Sequence, residues 1–343
     1  MSAKIEFGCL PTAIGTMPYT NPEEASAIVT KYLPTIPTWP QLPRRSNLEN
    51  MCIQFSEGFP ETVINGDKIY IERSADFDAR LEQVYTDYLD NNPDNYAISP
   101  EYAAGLHSFL ALKKDSPRMI KGQIIGPISW GLCATDRESR GIIYDELLAD
   151  TLARFLRLKV MWQERFLNTI TRDTIIFIDE PYLASLGTAF VAIQDNQVTS
   201  LLEYVLRGIN GLKGVHCCGS TSWPLLLGSS CDILSFDAYN YADSLSCYPS
   251  EVKAFLERGG NLAWGIIPND EEILARESLS SLYDRLGEAM APFTRDGISF
   301  KQLLNQSLLT PSCGLASLSP EAAIQALELL AELSARLKKK YTL

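Results

Sequence analysis

A closed barrel of eight parallel strands ringed by helices is what this sequence predicts, on three observations. Eight short apolar runs rich in branched residues recur along the chain, amphipathic helical stretches separate them, and the residues best able to do chemistry fall at the C-terminal ends of those runs. The (β/α)8 (TIM) barrel is the simplest α/β arrangement with that count, and a doubly wound open sheet is the runner-up. The whole chain, 1–343, is read as one barrel with an insertion at 56–117, between the second and third strands. No Gly-x-Gly-x-x-Gly follows a strand and no phosphate-loop motif occurs, so dinucleotide and nucleotide readings lack support.

The runs are 13–16, 51–55, 119–125, 174–178, 214–218, 232–236, 261–267 and 308–313, and their flanking Gly, Pro and Asp favour strands over buried helix. After the first run, Asn21-Pro-Glu-Glu24 supplies a cap residue, a proline at the first helical position and a glutamate three after the cap, with Ala25, Ile28, Val29 and Tyr32 on one face. The insertion of 62 residues holds Ile69-Tyr-Ile-Glu72 and a helical stretch through Phe77, Leu81, Val84 and Tyr88, which predicts a small hairpin and helices capping one barrel end. His107 belongs to a structural helix around Tyr102–Phe109. Leu148, Leu152, Phe155, Trp162 and Phe166 form the next stripe, followed by Val198, Leu201, Leu202, Val205 and Ile209, and later by Leu279, Leu282, Leu286 and Met290. Ser319-Pro-Glu opens the last helix, which ends on Lys338-Lys-Lys340, cations suited to a helix C-terminus.

Composition narrows the function classes. With 46% hydrophobic and 21% charged residues the balance is that of a globular protein, and a net charge of -12 argues against nucleic acid or an anionic membrane as partner. No apolar run approaches the roughly 20 residues that span a bilayer, and the first residues lack a signal-peptide core, so a cytoplasmic location is expected. Eight cysteines in such a chain are too dilute for a disulfide framework. Cys9, Cys52, Cys133, Cys231 and Cys247 are therefore expected to be packed free thiols.

The segment Gly214-Val-His-Cys-Cys218-Gly219 reads differently. If it is a strand ending at a loop, His216 and Cys218 share a face while Cys217 points away. Cys313, in Pro311-Ser-Cys-Gly-Leu315, is the third candidate donor, and Asp237, after the sixth run, the fourth. Imidazole and thiolate select zinc, and donors 95 residues apart in sequence suit an assembled active site better than a stapled structural zinc site. Two thiolates and a carboxylate quench the Lewis acidity of Zn2+, so activation of a substrate thiol is the more natural role than hydroxide generation.

At these residues the chain resembles the cobalamin-independent methionine synthase family, in particular its catalytic C-terminal barrel, over nearly its whole length. The likeness rests on Thr12-Ala-Ile-Gly-Thr-Met-Pro18, Lys121-Gly-Gln-Ile-Ile-Gly-Pro127, Ile178-Asp-Glu-Pro181, His216-x-Cys218, the stretch from Asp232 to Asp237, and Pro311-Ser-Cys-Gly-Leu315, in shared order. The resemblance implies a zinc-dependent methyltransferase that converts homocysteine to methionine. It implies His216, Cys218 and Cys313 as zinc ligands, with Asp237 where the family commonly has glutamate. It assigns Asp179 and Glu57 to the homocysteine amino group, and Ile14, Gly15 and Thr16 to its carboxylate.

One departure bears on the methyl donor. After Gly126-Pro127 the family usually places a tryptophan that stacks on a pterin, whereas here Trp130 comes early and Cys133 lies near the expected spot. The chain resembles a short core form of the family, and a methyl-corrinoid, either methylcobalamin or one presented by a separate corrinoid protein, is the expected donor in place of methyltetrahydrofolate. No Asp-x-His-x-x-Gly corrinoid-ligand motif occurs in the chain itself. The alternatives are a folate-dependent homocysteine methyltransferase, a methylcobamide:coenzyme M type enzyme, whose sulfonate substrate Asp179 would repel, and a non-catalytic zinc protein. A decarboxylase of the related uroporphyrinogen family would not need the cysteines.

Overall fold

The computed structural model describes residues 5–112, 117–188 and 191–343. Residues 1–4, part of the start expected to lack a signal-peptide core, 113–116, at the end of the expected insertion, and 189–190 lie outside the described residues. The strands in chain order are β1 (Leu10–Pro11), β2 (Thr62–Asn65), β3 (Lys68–Ile71), β4 (Ile120–Ile125), β5 (Ala134–Thr135), β6 (Thr174–Asp179), β7 (Leu212–Cys217), β8 (Ile233–Phe236), β9 (Asn261–Ile267) and β10 (Ser307–Pro311). Seven of them form one parallel sheet in the order β1-β10-β9-β8-β7-β6-β4. Every residue of β4, β6, β8, β9 and β10 is buried, which is why β6, β8 and β9 are apolar almost without interruption.

The ladder of eight strands expected from the sequence is therefore corrected: among the described residues the parallel sheet has seven. The run at 51–55 is not a strand but a short helix, Met51–Gln54, capped by Asn50. The gap between β1 and β4 is filled instead by residues 35–41, which carry only isolated bridges, Thr16 to Gln41 and Thr38 to Lys121. Met17 N and Gln41 N bond across one side of this segment, and Lys121 N donates to Pro37 O on the other. Pro34, Pro37, Pro40 and Pro43 explain the sparse pairing, because each lacks the N–H that a ladder requires. The first strand is also displaced: it covers Leu10–Pro11 and ends before the expected run 13–16, of which only Thr16 makes an isolated bridge.

Alternation along the strands sorts the inner face of the curled sheet. Met119, Ile175, Ile233, Ala263, Leu308, Leu10 and Ile36 share one apolar cluster with Phe7 and Phe177. Further along, the same face turns polar: Lys121 lies two residues past Met119 near the start of β4, Ser235 and Thr310 two past Ile233 and Leu308, Asp179 two past Phe177, and His216 near the end of β7. The fold thus places an apolar floor beneath a polar rim.

The helices follow the expected caps. Asn21 accepts from Glu24 N at the start of helix Pro22–Tyr32, Asp145 from Leu148 N at the start of Glu146–Leu167, and Ser319 from Ala322 N at the start of Pro320–Tyr341. The insertion contains the expected hairpin, β2 against β3, with β5 joining β3 in parallel, and helix Phe77–Leu89. Among the described residues no helix is long and apolar enough to cross a membrane.

Two cysteine expectations fail. Cys52 and Cys133 are joined by a disulfide, and Cys247 is an exposed thiol; Cys9 and Cys231 are free and buried as anticipated. The 81 residues between Cys52 and Cys133 hid their proximity, which depends on helix Met51–Gln54 packing beside helix Pro127–Cys133.

Candidate metal and substrate site

His216 is the penultimate residue of β7 and Cys218 lies one residue beyond its end, while Cys313 lies two residues beyond β10; their nitrogen and sulfur atoms all fall within 4.8 Å of one another. His216 is 2% exposed, and its Nδ1 lies 2.9 Å from Ser235 Oγ on β8. That contact fixes the ring and leaves Nε2 buried with no hydrogen-bond partner. An orphan imidazole nitrogen is costly unless something binds it. The two thiols act on each other: Cys218 is pulled down to about 4, chiefly by its hydrogen bond with Cys313 and further by His216, against the effect of burial. The Cys313 thiol is correspondingly raised, first by that hydrogen bond and then by burial. An imidazole and a thiolate pair at this spacing fit zinc, with three protein donors leaving the fourth tetrahedral position to a ligand.

Asp237 is not gathered with these three. It caps helix Ala238–Ser246, its Oδ1 accepting from Asn240 N at 2.9 Å and its Oδ2 from Asn240 Nδ2 at 2.7 Å. Its carboxyl is raised by burial first, and the Cys218 charge adds to that, so Asp237 stands near the group without belonging to it. A residue directly after a strand is well placed both to ligate and to cap, and here the capping role occupies both oxygens.

Asp179, at the end of β6 and in register with His216, is 6% exposed, and its Oδ1 has no hydrogen-bond partner. Burial pushes its carboxyl up to about 6, while Lys121 and then His216 act to lower it. The turn 14–16 lies alongside. All three of its carbonyls face into the protein: Ile14 O accepts from Lys121 Nζ at 2.6 Å, Gly15 O from Gln41 N at 3.0 Å, and Thr16 O from Leu315 N at 2.9 Å. A Cβ at Gly314 would meet Thr16 Oγ1 at 1.9 Å, which sets the turn against the Cys313 loop and explains the glycine there. The structure therefore brings together His216, Cys218, Cys313, Asp179 and the turn Ile14-Gly15-Thr16.

Glu57 is engaged with other partners. Its Oε2 accepts from Ser99 N at 2.8 Å, and its charge faces the buried Lys159. Trp130 is fully buried, donating from Nε1 to Cys52 O at 2.7 Å with its ring 4.9 Å from that of Phe59, and Cys133 is tied up in the disulfide. Neither is presented to a stacking ligand.

Three polar residues escaped the sequence reading. Lys121 is a fully buried ammonium on β4, 4.5 Å over the Phe177 ring, and burial brings it down to about 8. Gln123 bonds Thr38 and Trp39, anchoring the irregular segment. Glu180 takes Ile128 N, Ser129 N and Ser129 Oγ, capping helix Pro127–Cys133, and the close approach of its carboxylate to Gly126 leaves no room for a Cβ there. A lysine and a glutamine alternating inside an apolar run was the available signal for the first two.

The fold and site together define an α/β protein with an imidazole and two sulfurs gathered where parallel strands end. No protein-family model matches the sequence, and no curated protein does. Among solved structures the chain is similar to a B12-independent methionine synthase from Shewanella sp. W3-18-1, in complex with selenomethionine, with a TM-score of 0.61 at 14% identity over 97% of this chain and 98% of that one. At that identity the likeness is one of fold.

Proposed function

We infer that the protein is a zinc-dependent S-methyltransferase that methylates the thiol of homocysteine to give methionine. The observation that carries this reading is the buried, unpartnered Nε2 of His216 facing two sulfurs within 4.8 Å. Zinc held by His216, Cys218 and Cys313 would stabilise a substrate thiol as its anion at neutral pH, where a free alkanethiol is mostly protonated.

The remaining residues bind and orient. Asp179 offers a partnerless carboxylate oxygen to an ammonium, and the turn 14–16, with its carbonyls turned inward, is left to offer its amides and the Thr16 hydroxyl to a carboxylate. An α-amino acid fits both ends, whereas a sulfonate thiol of the coenzyme M type meets repulsion at Asp179. Methyl transfer then forms one sulfur–carbon bond and breaks the donor–methyl bond, the electron pair staying with the donor. No protein base is required, and alignment is the main demand on the side chains. Residues 35–41 are read as the irregular second strand of a (β/α)8 barrel spanning 1–343, supported by their bridges on both sides.

The burial of Trp130 and the engagement of Cys133 weigh for a methyl-corrinoid donor, free or on a separate protein, over a stacked pterin. A folate donor is the second reading, favoured by the description of the structural neighbour as B12-independent. The test is methionine formation by purified, zinc-quantified protein given homocysteine with methylcobalamin or with methyltetrahydrofolate. Turnover with the cobamide alone is expected. Turnover with folate alone reverses the donor, and methylation of 2-mercaptoethanesulfonate in preference to homocysteine overturns the substrate.

A further inference from the structure

We propose that Lys121 is a positioning residue for the carboxylate of an α-amino-acid ligand, holding the Ile14–Thr16 turn mechanically and placing a positive charge beneath it; this rests on the amino-acid reading given above. Lys121 is 0% exposed, and a buried ammonium is expensive unless it is fully bonded and balanced. Its Nζ spends its hydrogen bonds on Ile14 O, at 2.6 Å, and Gln123 Oε1, at 3.2 Å. It leaves Asp179 Oδ1 without a partner although it faces that carboxylate electrostatically. A lysine serving only to neutralise Asp179 would be expected to bond it directly. This one reaches past it to the turn.

The turn is then gripped at every residue. Lys121 holds Ile14, and a Cβ on Gly15 would lie 2.6 Å from Gln41 Oε1 and 2.8 Å from the Gln123 amide. Gly15 has a φ of +151°, which a side chain rarely adopts, and Leu315 N holds Thr16 O. Drawing the Ile14 carbonyl toward Nζ turns the following amides to the opposite face of the turn, where a carboxylate would sit, and the ammonium behind the turn reinforces the positive end of that peptide dipole. Lys121 thus acts on one end of a zwitterion and Asp179 on the other. A methionine of similar length would fill the same volume without either effect, so retention of the lysine is explained by ligand recognition better than by packing.

Calorimetric titration of the zinc-loaded protein with L-methionine and with 3-(methylthio)propylamine, which keeps the ammonium and lacks the carboxylate, tests this. In Lys121→Met the preference for L-methionine over the amine is expected to fall at least about tenfold, the effect of losing some 1.4 kcal/mol of selective binding, with zinc content unchanged. Should that variant fail to fold, Lys121→Gln, which keeps a donor for Ile14 O and drops the charge, is expected to show the same loss of preference. Equal weakening of both ligands, or an unchanged ratio, overturns the proposal and leaves the amino-acid reading standing. A wild-type protein that holds zinc and does not bind L-methionine overturns that reading and this proposal with it.

Discussion

The two halves of the curled sheet are held together by different means. From β6 to β10 each strand pairs with the next through backbone bonds, with a single register shift between Thr310 and Pro311, and His216, Cys218 and Cys313 lie at or just beyond the ends of that ladder. From β1 through residues 35–41 to β4 the backbone provides two isolated bridges, and side chains supply much of the rest. Gln123 Nε2 donates to Trp39 O, Trp39 Nε1 to Gln163 Oε1, Gln163 Nε2 to Gln123 O, and Gln41 Nε2 to Gln54 Oε1. A ladder fixes donors to within the precision a metal demands, whereas a network of buried amides carries a turn whose spare hydrogen-bonding groups can meet a ligand. The metal donors and the amino-acid turn thus depend on separate supports, which meet where Thr16 packs on Gly314.

The largest effect that would break this division is loss of a sulfur. Cys218→Ser is expected to lower zinc to well below one equivalent and methionine formation by more than about a hundredfold. Its melting temperature should stay within about 4 °C of wild type, because the ladder around it is untouched. Full zinc content by mass spectrometry or full activity in this variant would refute the donor set. Gln163→Leu should do the reverse. Its fully buried amide accepts from Gln123 N and Trp39 Nε1 and donates to Gln123 O, so the change strands three polar groups and should cost about 3 kcal/mol in denaturant unfolding, with zinc content preserved. Zinc loss in step with stability would show that the two supports are one.

Asp179 and Glu57 offer a sharper contrast: the resemblance assigns both to the ammonium, yet Asp179 keeps a carboxylate oxygen without a hydrogen-bond partner while Glu57 accepts from Ser99 N. Asp179→Asn is expected to weaken L-methionine binding about tenfold or more. Glu57→Gln should leave it within about twofold, because that carboxylate is committed to Ser99 N and Lys159. Comparable losses in both would return Glu57 to the site.

What the sequence revealed divides along the same line. The runs from Met119 onward are buried on both faces, so their apolar continuity announced them, and the alternation of His216 with Cys218 followed directly from strand geometry. Cys313 stands out because the last apolar run, 308–313, ends on it; the strand itself stops at Pro311, and the thiol lies two residues beyond, beside His216 and Cys218. The irregular segment was missed because Pro34, Pro37, Pro40 and Pro43 erase strand periodicity, and Met51–Gln54 was mistaken for a strand because four apolar-rich residues fit either form. Asp237 has the address of a ligand directly after a strand, and its capping of helix Ala238–Ser246 through Asn240 is a contact that spacing does not encode. Buried partners such as Ser235 and Gln163 come from tertiary contacts that spacing does not encode.

The smallest effect at neutral pH concerns the second buried lysine, which lacks any link to the turn. Lys159 Nζ donates to Ala97 O at 3.2 Å, and burial brings its pKa down from 10.5 to about 7, with Glu57 opposing the fall. Between those two values the unfolded chain holds a proton that the folded chain has released, so this group makes folding more favourable as pH rises, by at most about 1.4 kcal/mol per pH unit. As pH falls to about 7 that contribution is lost. Lys159→Met removes the term, so subtracting its stability from that of wild type should give a difference that grows in favour of wild type from pH 7 to 9. Ligand binding should not change, in contrast to Lys121→Met. Parallel stability curves would mean that Lys159 keeps its proton in the fold, and altered L-methionine affinity would tie the insertion to the site after all.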